Sequence, residues 1–423
     1  MMRLDEHTVL PGLADSGRFT RPPRRGPGEP SPGDGPFSKR TLGRAPTIMF
    51  VLPALGAGGS EHVVTFLANR LVACGLRITI VSFEDGSAPP YYRCDPEVSI
   101  TYLGVPIGRR GKVKGLNAFA ARVAGLRSQM DAVRPDLVIS FLTRTNVISV
   151  LAARNLRIPV IVSERNNPQR QRPPLPWRVM RRLAYARAYG LVTMTQGALQ
   201  FFPRSMRQRG WVIPNMADWQ HFKPRFTNTI RVLTAVGRLT DQKGFDLLLQ
   251  AFAKVADRHL DWKLRVWGKG PDRDALQALA ASLGIADRVE MPGVSSQPGS
   301  WIVDADAFVL SSRYEGWGLV LGEAMAAGLP CVSFDCPFGP AEMISDKVDG
   351  LLAPDGDVPA LAEALSKVMG DAGLRDRLGA NAIRKARLFE PERIGGLWEA
   401  MIFDVLASRL PTAWMPERNS HAV

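Results

Sequence analysis

Short apolar runs alternate with amphipathic stretches along most of the chain, and this alternation occurs twice. In the first half, six runs have the length and composition of buried strands, at residues 47–55, 77–83, 98–103, 136–142, 159–164 and 190–195. Stretches with helical periodicity separate most of these runs, including residues 61–74, 116–133 and 146–153. Strands that alternate with helices predict a parallel sheet with helices on both faces.

The same alternation restarts after a polar link that contains two prolines. Its strand-like runs lie at residues 231–239, 262–268, 288–293, 307–312 and 330–335. Helical periodicity is found between and after them, at residues 245–258, 273–283, 319–327 and 358–369, with more helix to about 386. The sequence therefore predicts an α/β protein with two facing Rossmann-like domains. Because ligands bind at the carboxyl ends of such sheets, we expect the site in the cleft between the domains.

Changes in composition divide the chain into six segments. Residues 1–45 are rich in Pro, Gly and Arg, and such a composition buries too little apolar surface to order itself, so we predict a disordered tail. The predicted segments after this tail are an N-terminal domain (46–215), a hinge (216–229), a C-terminal domain (230–388), a helix that packs back towards the N-terminal domain (389–410) and a short tail (411–423).

The overall composition fits a globular protein of two domains. The chain has 423 residues, of which 45% are hydrophobic and 22% are charged. The N-terminus lacks the apolar core of a secretory signal, and no apolar run is long enough to span a bilayer, so we expect a cytoplasmic protein. The four cysteines form no CxxC pair and accompany no histidine cluster, which argues against a disulfide framework and a zinc site.

Positive charge is concentrated in the first half of the chain. The net charge is +14, to which residues 1–218 contribute +17 and the remaining residues −3. Such asymmetry favours a surface that meets an anionic partner. Lipid head groups, lipid-linked diphosphates and nucleic acid are the candidates.

Two loops that follow predicted strands have the composition of anion sites. The glycines of GAGG, residues 56–59, would let the backbone approach a phosphate at the start of the next helix, although a plain strand–helix turn explains them equally well. In GRLTDQKGFD, Arg238 and Lys243 lie across one loop. The planar guanidinium of Arg238 and the compact ammonium of Lys243 can converge on a diphosphate.

A third loop, EGWGLVLGE, carries two carboxylates eight positions apart. Glu315 follows a predicted strand and is expected in the loop that faces the cleft. Glu323 is expected one to two turns into the next helix. Two carboxylates placed in this way can hold two sets of hydroxyls of one ligand.

These motifs, with GLP and GPAEMI farther along, resemble glycosyltransferase family 4 from about residue 47 to residue 400. The resemblance implies the GT-B fold and a retaining transfer from a nucleotide diphosphate sugar, with no cofactor and no catalytic metal. It assigns Arg238 and Lys243 to the donor diphosphate and Glu315 to the donor sugar. The other donor contacts that it implies are Glu323 at the ribose, Gly58, Gly59, Gly318, Leu319 and Val320 near the phosphates, and Val289, Glu290 and Met291 at the nucleobase.

The segment SERNNP, residues 163–168, is similar to a subset of this family that extends lipid-linked oligosaccharides, often from UDP-sugars. Many family members have a histidine near this position, and this chain has none there. The resemblance places Glu164, Arg165 and Asn166 on the acceptor and sugar side of the cleft. A capped turn before a Pro-rich loop is the structural alternative.

Basic and apolar residues alternate between Asn167 and Gly190, and IGRRGKVKG at 107–115 adds cations in the same domain. This pattern is typical of a helix at a membrane interface, with an ordinary surface helix as the alternative. Together with the charge asymmetry, it favours a peripheral protein at the inner face of the membrane. The DxD pattern of Asp304 and Asp306 directly precedes a strand, so we predict a structural role for it and no bound metal.

The sequence thus predicts transfer of a hexose or N-acetylhexosamine, first of all from a UDP-sugar, to a lipid-linked or other glycan acceptor in polysaccharide assembly. A GDP-mannose-dependent mannosyltransferase and another sugar-nucleotide enzyme, such as an epimerase, are the alternatives within the same fold. A basic nucleic-acid-binding protein is the alternative from another class. It would require a recognition motif or stacking aromatics, and only 8% of the residues are aromatic, so we expect no nucleic acid partner.

Overall fold

The computed structural model describes residues 45–408, except residues 57, 106, 108–111, 172–173, 218–229, 296 and 298 and the side chains of residues 112–116. Nearly all of the predicted hinge and both predicted tails therefore lie outside the described residues.

The N-terminal domain is built on a sheet of seven parallel strands in the order β3-β2-β1-β4-β5-β6-β7. Its strands are β1 (Thr47–Leu52), β2 (Arg77–Ser82), β3 (Ser99–Tyr102), β4 (Leu137–Phe141), β5 (Val160–Glu164), β6 (Gly190–Thr193) and β7 (Gly210–Val212). Its helices are α1 (Gly59–Ala73), α2 (Lys112–Val133), α3 (Thr143–Ala152), α4 (Leu175–Arg187), α5 (Gln196–Gln200) and α6 (Arg204–Arg207). The central strands are buried along their whole length, which explains why they are apolar runs without alternation.

The C-terminal domain repeats this plan with six parallel strands in the order β10-β9-β8-β11-β12-β13. Its strands are β8 (Arg231–Val236), β9 (Trp262–Trp267), β10 (Val289–Gly293), β11 (Ala307–Leu310), β12 (Cys331–Asp335) and β13 (Leu351–Pro354). Its helices are α7 (Phe245–Ala256), α8 (Arg273–Ser282), α9 (Leu319–Ala326), α10 (Pro340–Met343), α11 (Val358–Gly370) and α12 (Ala372–Ala386). The predicted α/β class with two parallel sheets is confirmed.

A final helix, α13 (Pro391–Ala407), packs in the core of the N-terminal domain. The ring of Trp398 stacks on Phe141 of β4 with 5.8 Å between the centroids. On the surface, Arg70 of α1 pairs with Glu399, with 2.7 Å between Nε and Oε1. The chain therefore crosses between the domains twice, once on each side of the C-terminal domain.

None of the helices in the described ranges combines the length and the apolar composition that crossing a bilayer requires.

Candidate functional site

The start of α1 lies at the carboxyl edge of the N-terminal sheet, directly after β1 and its glycine loop. Gly58 precedes the helix, and a methyl group added there would overlap Glu61 Oε2. The Glu61 carboxylate thus folds back over the helix start, where it accepts a hydrogen bond from its own backbone N–H. Burial raises the pKa of Glu61 above its ordinary value, against the effect of that hydrogen bond. The sequence motifs did not single out this glutamate.

The start of α9 in the C-terminal domain meets the start of α1. A methyl group added at Gly59 would lie only 3.3 Å from Leu319 Cδ2. Gly318, whose φ is +96°, turns the chain into α9, and both N-cap residues, Gly58 and Gly318, are glycines without a capping side chain. The N–H groups at both helix starts, with the positive ends of both dipoles, are therefore directed to one region between the domains. The predicted positions Gly58, Gly59, Gly318 and the neighbouring Leu319 and Val320 come together there.

Lys243 and Glu315 form a mostly buried ion pair on the C-terminal side of the cleft. Lys243 Nζ lies 2.7 Å from Glu315 Oε1, and the side chains are 15% and 8% exposed. Ser312 Oγ donates to the same carboxylate oxygen at 2.6 Å. The structure thus brings together two of the three residues predicted for catalysis.

The loops that carry this ion pair are fastened to each other. Gly244 has a φ of +60°, and a methyl group there would overlap the Ser311 carbonyl oxygen. Arg313 donates two hydrogen bonds to the Asp246 carboxylate, at 2.8 and 2.7 Å, and this pairing lowers the pKa of Asp246. The loop after β8 and the loop after β11 therefore hold Lys243 and Glu315 as one unit.

Arg238, the third predicted catalytic residue, lies at the carboxyl end of β8 but is exposed. It is not enclosed with the buried ion pair, and its role at the diphosphate stays a prediction.

Glu323 lies just beyond the first turn of α9 and is almost completely buried. Burial is the main cause that raises the pKa of Tyr92 to about 12, and the charges of Tyr91 and Glu323 add to it. Tyr92 belongs to the N-terminal domain, where its ring stacks on His62 at 4.7 Å. Glu323 is therefore close enough to the N-terminal domain for its charge to act on Tyr92.

The predicted nucleobase stretch forms β10, the edge strand of the C-terminal sheet. Val289 and Met291 pack against the core of that domain. Glu290 accepts hydrogen bonds from Arg265 at 2.8 Å and Lys263 at 3.2 Å, so its carboxylate is already engaged. A nucleobase contact at these residues stays a prediction.

The carboxylate of Glu164 is enclosed within the N-terminal domain. Thr143 Oγ1 and Tyr185 Oη donate to it at 2.9 and 2.8 Å. Burial raises the pKa of Glu164, and these hydrogen bonds oppose the shift. Its side chain links β5 to α4, and its predicted acceptor role is untested by this geometry.

Arg165 and Asn166 border the cleft through their backbone. A methyl group added at Gly316 would lie 2.8 Å from the Arg165 carbonyl oxygen and 3.1 Å from Asn166 Cα. The Arg165 guanidinium is buried over the Phe141 ring and donates to Asn215 Oδ1, but its Nη1 has no hydrogen-bond partner among the described residues. Burial lowers the pKa of Arg165 to about 9.

Two further contacts across the cleft come from residues of SERNNP and GPAEMI to which the sequence assigned no role. Asn167 Nδ2 donates to the Pro337 carbonyl oxygen at 2.8 Å. The Glu342 carboxylate accepts the backbone N–H groups of Gln196 and Gly197, at 2.7 and 2.9 Å, at the start of α5. The two partners of each contact are well over one hundred positions apart, which hides the relationship in the sequence.

The DxD residues have structural partners. Asp306 Oδ2 accepts the backbone N–H of Val232 at 2.8 Å, and Asp304 pairs with Arg265 at 3.6 Å. Within the described residues, no group of three or more His, Cys, Asp or Glu side chains could hold a metal ion.

Two family models match consecutive parts of the chain. The model of a glycosyl transferase 4-like domain matches residues 58–216, and the model of glycosyl transferases group 1 matches residues 217–385.

Similar proteins span most of the chain. An exopolysaccharide phosphotransferase of Streptomyces coelicolor is 30% identical over 85% of this chain, which covers 41% of that longer protein. A Campylobacter jejuni α-1,4-N-acetyl-D-galactosaminyltransferase, named for a PP-undecaprenol-linked glycan, is 28% identical over 85% of this chain and 98% of its own length.

The fold is shared with solved structures. The crystal structure of Anabaena HepE in complex with UDP and glucose has a TM-score of 0.69 at 19% identity, covering 86% of this chain and 99% of its own. The facing parallel domains are those of the GT-B fold. The chain is therefore a glycosyltransferase, and its two domains belong to the glycosyl transferase 4-like and glycosyl transferases group 1 families.

Proposed function

We propose that the chain transfers a hexose or N-acetylhexosamine, with retention of configuration, from a nucleotide diphosphate sugar to a lipid-linked or other glycan acceptor in polysaccharide assembly. A UDP-sugar is the first candidate donor, and a GDP-mannose-dependent reaction is the alternative. The proposal requires no cofactor and no catalytic metal.

The observation that carries the proposal is the meeting of α1 and α9 across the cleft, next to a buried ion pair. The start of α9 offers free N–H groups, and the start of α1 offers those that Glu61 does not engage. A methyl group added at Gly59 would lie 3.3 Å from Leu319 Cδ2, which shows how close the two helix starts are. A diphosphate bound there would receive hydrogen bonds from both domains. Lys243 supplies a cation on the C-terminal side.

This arrangement suits the chemistry of the leaving group. When the sugar leaves a nucleoside diphosphate, negative charge develops on the diphosphate oxygens. Fixed N–H dipoles and cations in a site that excludes water stabilise that charge most effectively. Lys243 and Arg238 would bear on the diphosphate, and Glu315 would hold hydroxyls of the departing sugar, so that catalysis rests on positioning and electrostatics.

The donor and acceptor classes are supported by the similar proteins. The Campylobacter relative is named for an acceptor on undecaprenol diphosphate, and the Anabaena structure contains UDP. The +17 balance of residues 1–218 suits an acceptor and a membrane surface that are both anionic. We therefore place the enzyme in the cytoplasm, peripheral to the inner face of the membrane, with no nucleic acid partner.

The test is a panel of UDP- and GDP-sugars incubated with the full chain and a lipid extract. Transfer is expected from one donor, with the donor's anomeric configuration kept in the product as determined by NMR, and it should survive a metal chelator. Glu315→Gln should reduce turnover by about 100-fold or more. Glu363→Gln, a substitution of an exposed glutamate on α11, is the matched control. Normal turnover by Glu315→Gln, or an inverted product, would refute the proposal.

A further inference from the structure

The outer face of α4 carries three aliphatic side chains in a row. Leu175, Val179 and Leu183 are 67%, 49% and 53% exposed. Because they are four residues apart, they lie on one side of the helix. We refer to these three residues as the α4 stripe.

The stripe is not the face that holds α4 in place. On the inner face, Trp177 makes an edge contact with Phe119 at 5.7 Å and lies under the Arg144 guanidinium. Tyr185 is buried and donates to Glu164 of β5. These contacts anchor the helix, so the aliphatic residues on its outer face are free to serve another purpose.

The side of α4 opposite the stripe packs beside α5 and α6. Phe201, at the end of α5, is also exposed, and the Arg181 guanidinium lies 5.4 Å from its ring centroid. Met206 of α6, a neighbour of α4, is buried in the same core cluster as Tyr185, so α6 packs towards the inner side of α4. The exposed aliphatic surface of α4 therefore consists of the stripe itself.

The charge of this region has a single sign. From Arg165 to Ala217 the sequence contains ten arginines, no lysine and no acidic residue. Arg178 and Arg182 are exposed on α4 and flank the stripe. The nearest acidic residue before this region, Glu164, is buried in its own hydrogen bonds. Asp355 and Glu342 of the C-terminal domain bind Arg170 and the start of α5.

We infer that the α4 stripe, with Arg178 and Arg182, docks on a bilayer that contains anionic phospholipid. Aliphatic side chains flanked by arginines match the depth profile of a membrane interface, where the apolar face enters the acyl boundary and guanidinium groups bind phosphates. A nucleic acid backbone would bind the arginines but leave the aliphatic residues in water. The combination therefore favours a lipid surface.

The docked orientation would place the cleft at the membrane. The loop between β5 and α4 borders the cleft, since the Arg165 carbonyl adjoins Gly316 and Asn167 bonds to Pro337 of the other domain. Leu175, the most exposed residue of the stripe, begins α4 ten positions after Arg165 in the sequence. The end of α4 nearest the cleft would thus enter the bilayer, close to the sugar of a lipid-linked acceptor. This consequence rests on the proposed function, whereas the docking itself does not.

Vesicle flotation of the full chain tests the inference. Binding is expected to vesicles of phosphatidylcholine mixed with phosphatidylglycerol, and far less to phosphatidylcholine alone. Val179→Ser/Leu183→Ser should lower the partition coefficient by about tenfold or more, because two aliphatic side chains lose their burial. Arg178→Gln/Arg182→Gln should lower it by a similar factor and weaken its dependence on salt.

Matched controls lie in the C-terminal domain. Leu260→Ser/Val348→Ser removes two comparably exposed aliphatic residues, and Arg258→Gln/Arg377→Gln removes two exposed arginines. Both controls should float as the unaltered chain does. Circular dichroism confirms that each variant is folded, and transfer to a water-soluble acceptor should be the same in the α4 variants as in the unaltered chain.

Three outcomes would overturn the inference. In the first, the α4 variants float like the unaltered chain. In the second, they alter only the size-exclusion profile of the protein, because the stripe joins two copies of the chain. In the third, duplex DNA competes with the vesicles for Arg178 and Arg182. Absence of sugar transfer with vesicle binding intact would refute the proposed function and leave the docking surface standing.

Discussion

Lys243 Nζ lies 2.7 Å from Glu315 Oε1, in a place where neither side chain is more than 15% exposed. Two charges this far from water depend on each other, and removing one leaves the other without compensation. The ion pair therefore stabilises the fold and is also a candidate part of the catalytic machinery. Any substitution there must be analysed for both effects.

Glu315→Leu should lower the free energy of unfolding by about 3 kcal/mol, because it leaves the Lys243 ammonium buried and unpaired. Adding Lys243→Met should recover most of this loss, while transfer activity stays absent in both variants. Urea denaturation followed by fluorescence measures the stability. Strictly additive effects of the two substitutions would show that the charges do not interact in solution.

Gly58→Ala should destabilise the chain by about 0.5–1 kcal/mol, because the new methyl group displaces the flexible Glu61 carboxylate from the start of α1 and breaks its hydrogen bond with the backbone. Glu61→Ala should remove most of that penalty in the double variant, which a double-mutant cycle would detect. Gly56→Ala is the matched control, since nothing lies within 4 Å of its added methyl group. Equal effects of the two glycine substitutions would contradict the observed position of Glu61.

Gly244→Ala should cost more stability than Gly284→Ala, although both glycines have similar left-handed φ angles of +60° and +69°. The methyl group meets open space at Gly284 but overlaps the Ser311 carbonyl at Gly244. Backbone strain alone accounts for about 1–2 kcal/mol, and the clash adds to it. Thermal unfolding of the two variants measures the difference, which should vanish if the two loops are not fastened together.

Glu164→Gln should become more stable relative to the unaltered chain as the pH rises. Burial raises the folded-state pKa of Glu164 above its ordinary 4.5, so the folded chain holds this proton more tightly than the unfolded chain does. The stability that this contributes is fully present below pH 4.5 and is lost as the pH rises through the raised pKa. Unfolding midpoints of both chains across this range provide the measurement, and a constant difference between them would disprove the shift.

Much of the fold could be predicted because central parallel strands are buried on both faces, which leaves apolar runs such as Thr47–Leu52 plainly visible. Among the strands, the exceptions are β7 and β13, which the periodicity did not reveal. Both are short strands at the edges of their sheets, with three and four residues. A run of that length cannot be distinguished from a loop by its pattern.

The candidate site was predictable where a motif follows a strand, as it does for Lys243 and Glu315. It was not predictable where the relationship is tertiary. Glu342 reaches the start of α5 over a separation of 146 positions, and Glu61 is distinguished only by the way it folds over Gly58. The spacing of the motif also did not indicate whether the Arg238 side chain would be buried or exposed. The loop follows a strand as predicted, and Arg238 is exposed.

The stacking of Trp398 on Phe141 has a consequence for synthesis of the protein. A nascent chain emerging from the ribosome has all seven strands of the first sheet long before α13 exists, so the part of one sheet face that α1 does not cover stays exposed while the second lobe is made. The lobe that is translated first is thus the last to be completed. An isolated N-terminal lobe for crystallisation or NMR would need residues 391–407 grafted after residue 217, or a chaperone to shield the open face.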